Sequence, residues 1–255
     1  MDIADKLNDE LSQQSFSSFE KVIYNKELDK YKTIAKGYSE IENSISVLSD
    51  MQSNKSYIYH GNFSSTLGLK SIPGEGNRID SIWEKEILDL IFPEDLYNKY
   101  LQELRFFHFI RHLPKRKRSD YYLINKLRMR DKNGNFIPVV HRIFYVSSPV
   151  DNSLWLALCL YYPLISDIPY NSILVNSATG DITEIGKRKC PKILSEREIQ
   201  ILKLIDKGLM SKNIAEYLSI SINTVSRHRQ EILGKLKVKN SIEACRVAKD
   251  LGIIC

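Results

Sequence analysis

The last quarter of the chain is punctuated so closely that few folds are open to it. Ser195 stands three residues before Glu198, the spacing of a helix-start capping box. Ile199, Leu202 and Ile205 then fall on one face until Gly208, a residue that suits a helix stop. Ser211 is placed to cap a second helix, Lys212 to Leu218, with Ile214, Ala215 and Leu218 inward. Ser219, Ile220 and Ser221 make a tight turn, and Ser221 is the cap of a third helix that runs to about Leu236. Asn240 and Glu243 pair as the cap of a fourth, ending near Gly252. Two short helices joined by so brief a turn form a helix-turn-helix pattern.

The third helix has two unlike faces. Val225, Ile232 and Leu236 recur at helical spacing and point inward, with His228 at the edge of that face. Asn223, Ser226, Arg227 and Gln230 point the other way. Such donors and acceptors can read base edges in a major groove, whereas a merely solvated helix favours Glu-Lys pairs. Charge agrees with this reading. The chain carries a formal net charge of +6. From Lys187 onward there are 15 Lys/Arg against 7 Asp/Glu, and the preceding residues hold 22 against 24. A basic module on a near-neutral body is the footprint of a polyanion partner.

Leu194–Leu202, Gly208–Ala215, Ser221–His228, Ile232–Leu236 and Val238–Ala244 together resemble LuxR/FixJ-type (GerE-like) domains, with correct spacing over about 60 residues. The resemblance implies a dimeric DNA-binding domain with its third helix in the major groove and its fourth at the dimer contact. Carried over, Asn223, Thr224, Ser226 and Arg227, flanked by Gln230, approach bases or nearby phosphate. Arg229, Lys235 and Lys212 hold phosphates, and Ala244 and Ala248 pack closely between protomers. About six Lys/Arg at phosphates imply a log–log salt slope on the order of −5. The family often has Lys where Asn223 and Ser226 stand, and Arg where Ser241 stands. The reading helix is therefore expected to favour a different operator, with less direct guanine contact.

Residues 56 to about 166 read as mixed strand and helix. Ser56–His60 alternates and meets the turn Gly61-Asn62; short helical pieces follow, then Phe92-Pro93-Glu94-Asp95, which suits a helix start. The helix stripe is Tyr97, Tyr100, Leu101, Leu104, Phe107 and His108. Three long strands come next, Tyr121–Arg130, Phe136–Ser147 and Leu154–Tyr162. The first two meet at Asn133-Gly134, a strong hairpin signal. The third is nearly all apolar, as at a sheet centre. A last hairpin spans Ile173–Asn176 and Asp181–Ile185. This order resembles a PAS domain, as do Phe92–Asp95 and Leu127–Gly134, the latter like the family's Arg-x-Arg-x-x-x-Gly hairpin. The likeness implies a sensor or interaction module without naming its signal.

Residues 1–50 are expected to be helical. Tyr31, Ile34, Tyr38, Ile41, Ile45 and Leu48 form an a/d seam over almost three heptads, open to two readings: a dimer coiled coil, or a helix packed on its own domain. Lys115-Arg116-Lys117-Arg118 reads as a solvated loop. Tyr57, Trp83, Tyr97, Tyr100, Phe107 and Trp155 read as core, with a small pocket as the alternative. His108 on an apolar face reads as a hydrogen-bonded core histidine; a haem ligand is the rival, because haem-binding PAS domains use a histidine on this helix. No other cofactor is expected, and no metal. Gly74-Glu75-Gly76 lacks the third glycine of a dinucleotide fingerprint, and no Walker A or Gly-x-Ser-x-Gly is present. The four cysteines have no metal-ligand spacing, which fits a reduced compartment. The longest mostly apolar run, Leu154 to Ile165, is twelve residues. A membrane span needs roughly 20. No secretory signal is expected at Met1–Asp5.

The expected class is therefore α+β: a helical segment (1–50), a PAS-like antiparallel-sheet domain (51–186), a linker (187–193) and a four-helix LuxR-type helix-turn-helix domain (194–255). The expected function is a cytoplasmic, non-enzymatic transcriptional regulator. Its expected partners are double-stranded DNA, a second copy of itself, a small molecule in the PAS-like domain and, in an activator, RNA polymerase. The alternatives are a protein-interaction regulator in which DNA binding is secondary, and a haem-binding sensor.

Overall fold

The computed structural model describes residues 2–17, 20–70, 76–166, 170–184, 194–236, 238–250 and 253–254. The expected linker, the end of the last hairpin at Ile185, Gly74-Glu75 and Gly252 lie outside these. Two amino-terminal helices, α1 (Ile3–Ser12) and α2 (Lys21–Ile41), precede strands β1 (Ile45–Asp50) and β2 (Lys55–His60). Then come α3 (Phe63–Thr66), β3 (Asn77–Ile79), α4 (Lys85–Leu88) and α5 (Pro93–His112). Strands β4 (Tyr121–Arg130), β5 (Phe136–Ser147), β6 (Leu154–Pro163), β7 (Ser172–Asn176) and β8 (Ile182–Glu184) complete one sheet, ordered β3-β2-β1-β6-β5-β4-β7-β8. The carboxy-terminal helices are α6 (Glu196–Asp206), α7 (Ser211–Leu218), α8 (Ile222–Leu236) and α9 (Ser241–Asp250).

The apolar run in β6 has a direct cause. This strand pairs with β1 on one side and β5 on the other, and both faces of the sheet are covered. Ala157, Cys159 and Tyr161 point into the core shared with α1 and α5. Leu156, Leu158 and Leu160 point the opposite way, toward α2. A strand buried on both faces loses the polar alternation of a half-exposed one. The β4–β5 hairpin turns through Gly134 at φ +88°, a left-handed conformation that favours glycine. The Asp131 carboxylate accepts the backbone N–H groups of Asn133 and Asn135 and fixes the turn.

The amino-terminal expectation needs correction. The helix ends at Ile41, and Ile45 and Leu48 lie in β1, the second-innermost strand on that side. Of the expected seam, Tyr31 and Tyr38 pack from the helix, and they face a sheet, not a second helix: Leu28 and Ala35 are buried, with Tyr24, Tyr31 and Tyr38 packed beside Trp155 and Leu158. Ile34 and Ile41 of the expected seam face solvent. Spacing of three and four describes any apolar helix stripe, and the partner decides whether it becomes a coiled coil.

Two further expectations change, and most of the aromatic residues lie in or against the core, as expected. The buried face of α5 includes Lys99, Gln102 and Glu103, while Tyr97 is exposed. Lys115–Asp120 is a 3-10 turn with Arg118 buried; its guanidinium donates to the carbonyls of Leu113, Asn152 and Arg111. It serves as a clamp on loop backbone, while Lys115, Arg116 and Lys117 are exposed as expected. The aromatic residues also divide. Tyr57 and Trp155 lie on the α2 side of the sheet, and Trp83, Tyr100 and Phe107 on the α5 side.

The two segments that carry the PAS resemblance meet in space. Asp95, in the first turn of α5, accepts the backbone N–H of Arg128 at 2.7 Å and holds its guanidinium through both carboxylate oxygens. The same guanidinium lies 3.9 Å from the centre of the Phe92 ring. Helix start and hairpin strand are thus clasped by one arginine.

Candidate nucleic-acid interface

The carboxy-terminal helices form their own core around Ile201, Leu202, Ile214, Val225, Ile232, Leu236 and Ala248. Local sequence builds most of it. Ser195 Oγ accepts from Glu198 N–H, and the Glu198 carboxylate accepts from Ser195 N–H at 2.6 Å, the reciprocal capping box. Gly208 ends α6 at φ +82°. Ser219 takes the left-handed conformation at the end of α7, which turns the chain sharply into α8. The hydroxyl of Ser221 accepts from Thr224 N–H at 3.1 Å and caps α8. Glu243 N–H donates to Asn240 Oδ1, and Glu243 in turn accepts from Lys239 N–H, so the α9 cap pair is formed. One cap differs: Ser211 is the first residue of α7, following Met210, and its hydroxyl accepts from Arg229.

Helix α8 has the two faces its sequence implies. Val225 is 0% exposed and Ile232 1%, so the helix is anchored from below. Asn223, Ser226, Arg227 and Gln230 are all exposed and face outward together. Arg227 leans on Glu231 at 3.4 Å, with its side chain 71% exposed. A pair this exposed contributes at most about 1 kcal/mol and is readily exchanged for another partner. Thr224 is half-buried, its hydroxyl bonded to Ser221 Oγ. Lys212, at the start of α7, is exposed.

Two residues expected at phosphates are committed elsewhere. Arg229 donates to Ser211 Oγ at 2.8 Å and to Ser241 Oγ at 2.9 Å, joining the starts of α7 and α9 to α8. Lys235 donates to both oxygens of the buried Glu198, at 2.6 and 2.8 Å. Burial opposes the Glu198 charge, but Lys235 and the Ser195 contacts hold its carboxyl below the ordinary value. The buried Glu198 carboxylate needs donors, and Lys235 supplies them while its side chain stays 44% exposed; Arg229 bridges two half-buried hydroxyls. Sequence reasoning also missed Arg197, which donates to the Leu218 carbonyl at the end of α7. The small residues expected between protomers, Ala244 and Ala248, are 0% exposed within this domain's own core; Ile242, 85% exposed, is the apolar residue on the outer face of α9.

Arg229→Ala removes a charged donor from two hydroxyls at once. The expected result is a loss of about 1–3 kcal/mol in stability. A thermal melt of the full chain should show the carboxy-terminal transition displaced downward.

Residues 192–248 match GerE, described as bacterial regulatory proteins of the luxR family. This segment is a luxR-family domain. The oxygen regulatory protein NreC of Staphylococcus epidermidis is 43% identical over 75 residues, covering 29% of this chain and 34% of NreC. NreC of Staphylococcus haemolyticus is 47% identical over 57 residues, covering 22% of this chain and 26% of that protein. The similarity thus spans about a third or less of these relatives' length. Among solved structures, a phage VqmA–DPO complex aligns over 90% of this chain and 91% of its own, at 14% identity and a TM-score of 0.33. The PAS domain of an HTR-like protein from Haloarcula marismortui aligns over 56% of this chain and 100% of its own, at 12% identity and a TM-score of 0.28. Within the luxR-type domain of this chain, α8 is the second helix of the helix-turn-helix pair.

His108 is buried on α5. Burial first, then nearby Arg111, lowers its pKa to about 3, so the ring is neutral at pH 7. No helix among the described residues is long and apolar enough to cross a membrane.

Proposed function

We propose that the chain is a sequence-specific transcriptional regulator that binds duplex DNA as a homodimer through the outer face of α8. One observation carries this reading: Asn223, Ser226, Arg227 and Gln230 are presented together on a helix held rigidly by Val225, Ile232 and Leu236. A fixed polar face with one unburied guanidinium suits major-groove readout. Ile242 on the outer face of α9 is the candidate centre of the contact between two copies. The protein acts in the cytoplasm without catalysis, and as an activator it would touch RNA polymerase.

The input is a small polar molecule in the sheet domain. A cleft of about 470 Å3 opens between α5 and β4, with Asn98, Gln102, Asn125, Arg128 and Ser172 in its walls. That size suits a metabolite-sized ligand. Occupancy would alter the placement of the DNA-binding heads and so their match to half-sites. Haem fits poorly as the input, because His108 does not line this cleft and its Phe107 neighbour has its ring centre 5.9 Å away.

Sequencing of random duplexes selected by the full-length protein tests the reading. The expected product is a pseudo-palindrome with half-sites about one helical turn apart. Recovery of unenriched sequence would end it. Arg229 and Lys235 donate within the domain, Lys235 from an exposed side chain to the buried Glu198, which leaves Arg227 and Lys212 as the exposed cations among the named residues not tied to a buried acceptor. About four phosphates per dimer then give a log–log salt slope near −4, shallower than the −5 expected from sequence. Anisotropy titrations across a salt series measure it.

A further inference from the structure

Between α5 and strands β5 and β6 lies a cluster that the DNA-binding reading does not use. Glu103 and Lys99 come from α5, His141 from β5 and Cys159 from β6; each is almost wholly buried. Lys99 Nζ sits 2.8 Å from Glu103 Oε1, and His141 Nε2 is 3.6 Å from the same oxygen. The donor atoms of Glu103, His141 and Cys159 all lie within 4.8 Å of one another. Glu84 borders the same space and accepts from the Tyr161 hydroxyl at 2.8 Å.

As an isolated ion pair this arrangement is incomplete. Among the described residues, His141 Nε2 is buried without a hydrogen-bond partner, and so is Asn125 Oδ1 beside it. With the thiol neutral, one ammonium faces two carboxylates, leaving an unbalanced negative charge in the interior. Buried groups left in that state are costly.

We propose that Glu103, His141 and Cys159 bind a single borderline-soft divalent cation of the zinc class. Carboxylate, imidazole and thiolate are the donor set such an ion takes. Bond lengths of about 2.0–2.3 Å place tetrahedral neighbours about 3.3–3.8 Å apart, so the side chains need only small shifts. On binding, Cys159 releases its thiol proton to solvent and the sulfur becomes a ligand. Two positive charges added and one thiolate formed bring the cluster to neutrality, with Lys99 remaining as outer partner of the carboxylates.

The second shell fits as well. Asn125 Nδ2 lies 3.2 Å from His141 Nδ1. Turning the carboxamide end for end lets Oδ1 accept the Nδ1–H and leaves Nε2 with a free lone pair aimed at the ion; amide orientation is interchangeable in this way. The inner cavity bordered by Glu84, Lys99, Glu103 and Cys159 holds about 30 Å3. That is room enough for a water as the fourth ligand. Lys99 and Asn125 also border the outer cleft, which gives the ion a way in.

Cobalt titration of metal-stripped, reduced full-length protein tests this. We expect one equivalent bound, the visible bands of a tetrahedral site and a near-ultraviolet thiolate-to-cobalt band, all displaced by one equivalent of zinc. Cys159→Ser should abolish the thiolate band with the other cysteines intact, and Asn125→Ala should weaken binding by about 10–100-fold. X-ray absorption of the zinc-loaded wild type, which needs no variant, should give one sulfur and otherwise nitrogen or oxygen ligands. A thiolate band that survives Cys159→Ser, a shell with no sulfur or several, or no stoichiometric binding overturns the proposal.

Discussion

Arg227→Ala should lower affinity for the selected operator by about 30-fold to 10⁴-fold while leaving affinity for unrelated duplex far less changed. A bidentate base contact contributes about 1–3 kcal/mol of discrimination, and a two-headed complex loses two such contacts. The fold should survive. The side chain is 71% exposed and its ion pair to Glu231 is on the surface. Surface substitutions of this kind usually change stability by less than about 0.5 kcal/mol. The measurement is fluorescence anisotropy at one fixed salt concentration, with operator and scrambled duplex in parallel. An equal loss on both duplexes would make Arg227 a phosphate contact, and undiminished selective binding would remove α8 from the interface.

Lys99→Met should cost about 3–5 kcal/mol in stability, since it leaves a buried carboxylate without its counter-charge. Burial pushes the Glu103 carboxyl above its ordinary value, and Lys99 opposes that rise. Burial would also strip the proton from Lys99, but the Glu103 and Glu84 carboxylates outweigh it and keep the ammonium charged. The sign with pH follows. An acid whose folded pKa is raised adds its stability below its unfolded pKa and loses it as pH rises through the folded value. The deficit of Lys99→Met should therefore be larger at pH 8 than at pH 5. Urea melts of chelator-treated protein at both values measure it. Lys99→Met/Glu103→Leu should recover most of the loss, because replacing both charges removes the desolvation cost. A double variant no more stable than Lys99→Met would show that packing, not charge, dominates.

The luxR-type domain was legible because its signals are local. Ser195 with Glu198, Gly208, Ser221 with Thr224, and Asn240 with Glu243 each act within a few residues, and each forms the contact its spacing implies. Val225 and Ile232 inward with Ser226 and Arg227 outward follow from the 3.6-residue period alone. The hairpin at Gly134 and the doubly buried strand at Leu154 were visible for similar reasons.

The chain's own pattern thus determined where most helices start and stop, which face of α8 is buried, and which strands run through the sheet. Tertiary structure alone decided what those faces meet. The apolar stripe of α2 lies on a sheet instead of a second copy, Arg229 and Lys235 turn inward to hydroxyls and a carboxylate, and Lys99 with Glu103 enters the core of the sheet domain. Hydrophobic periodicity records that a face is buried, but a long polar side chain takes its partner from residues tens of positions away, and that pairing exists only once the elements have packed.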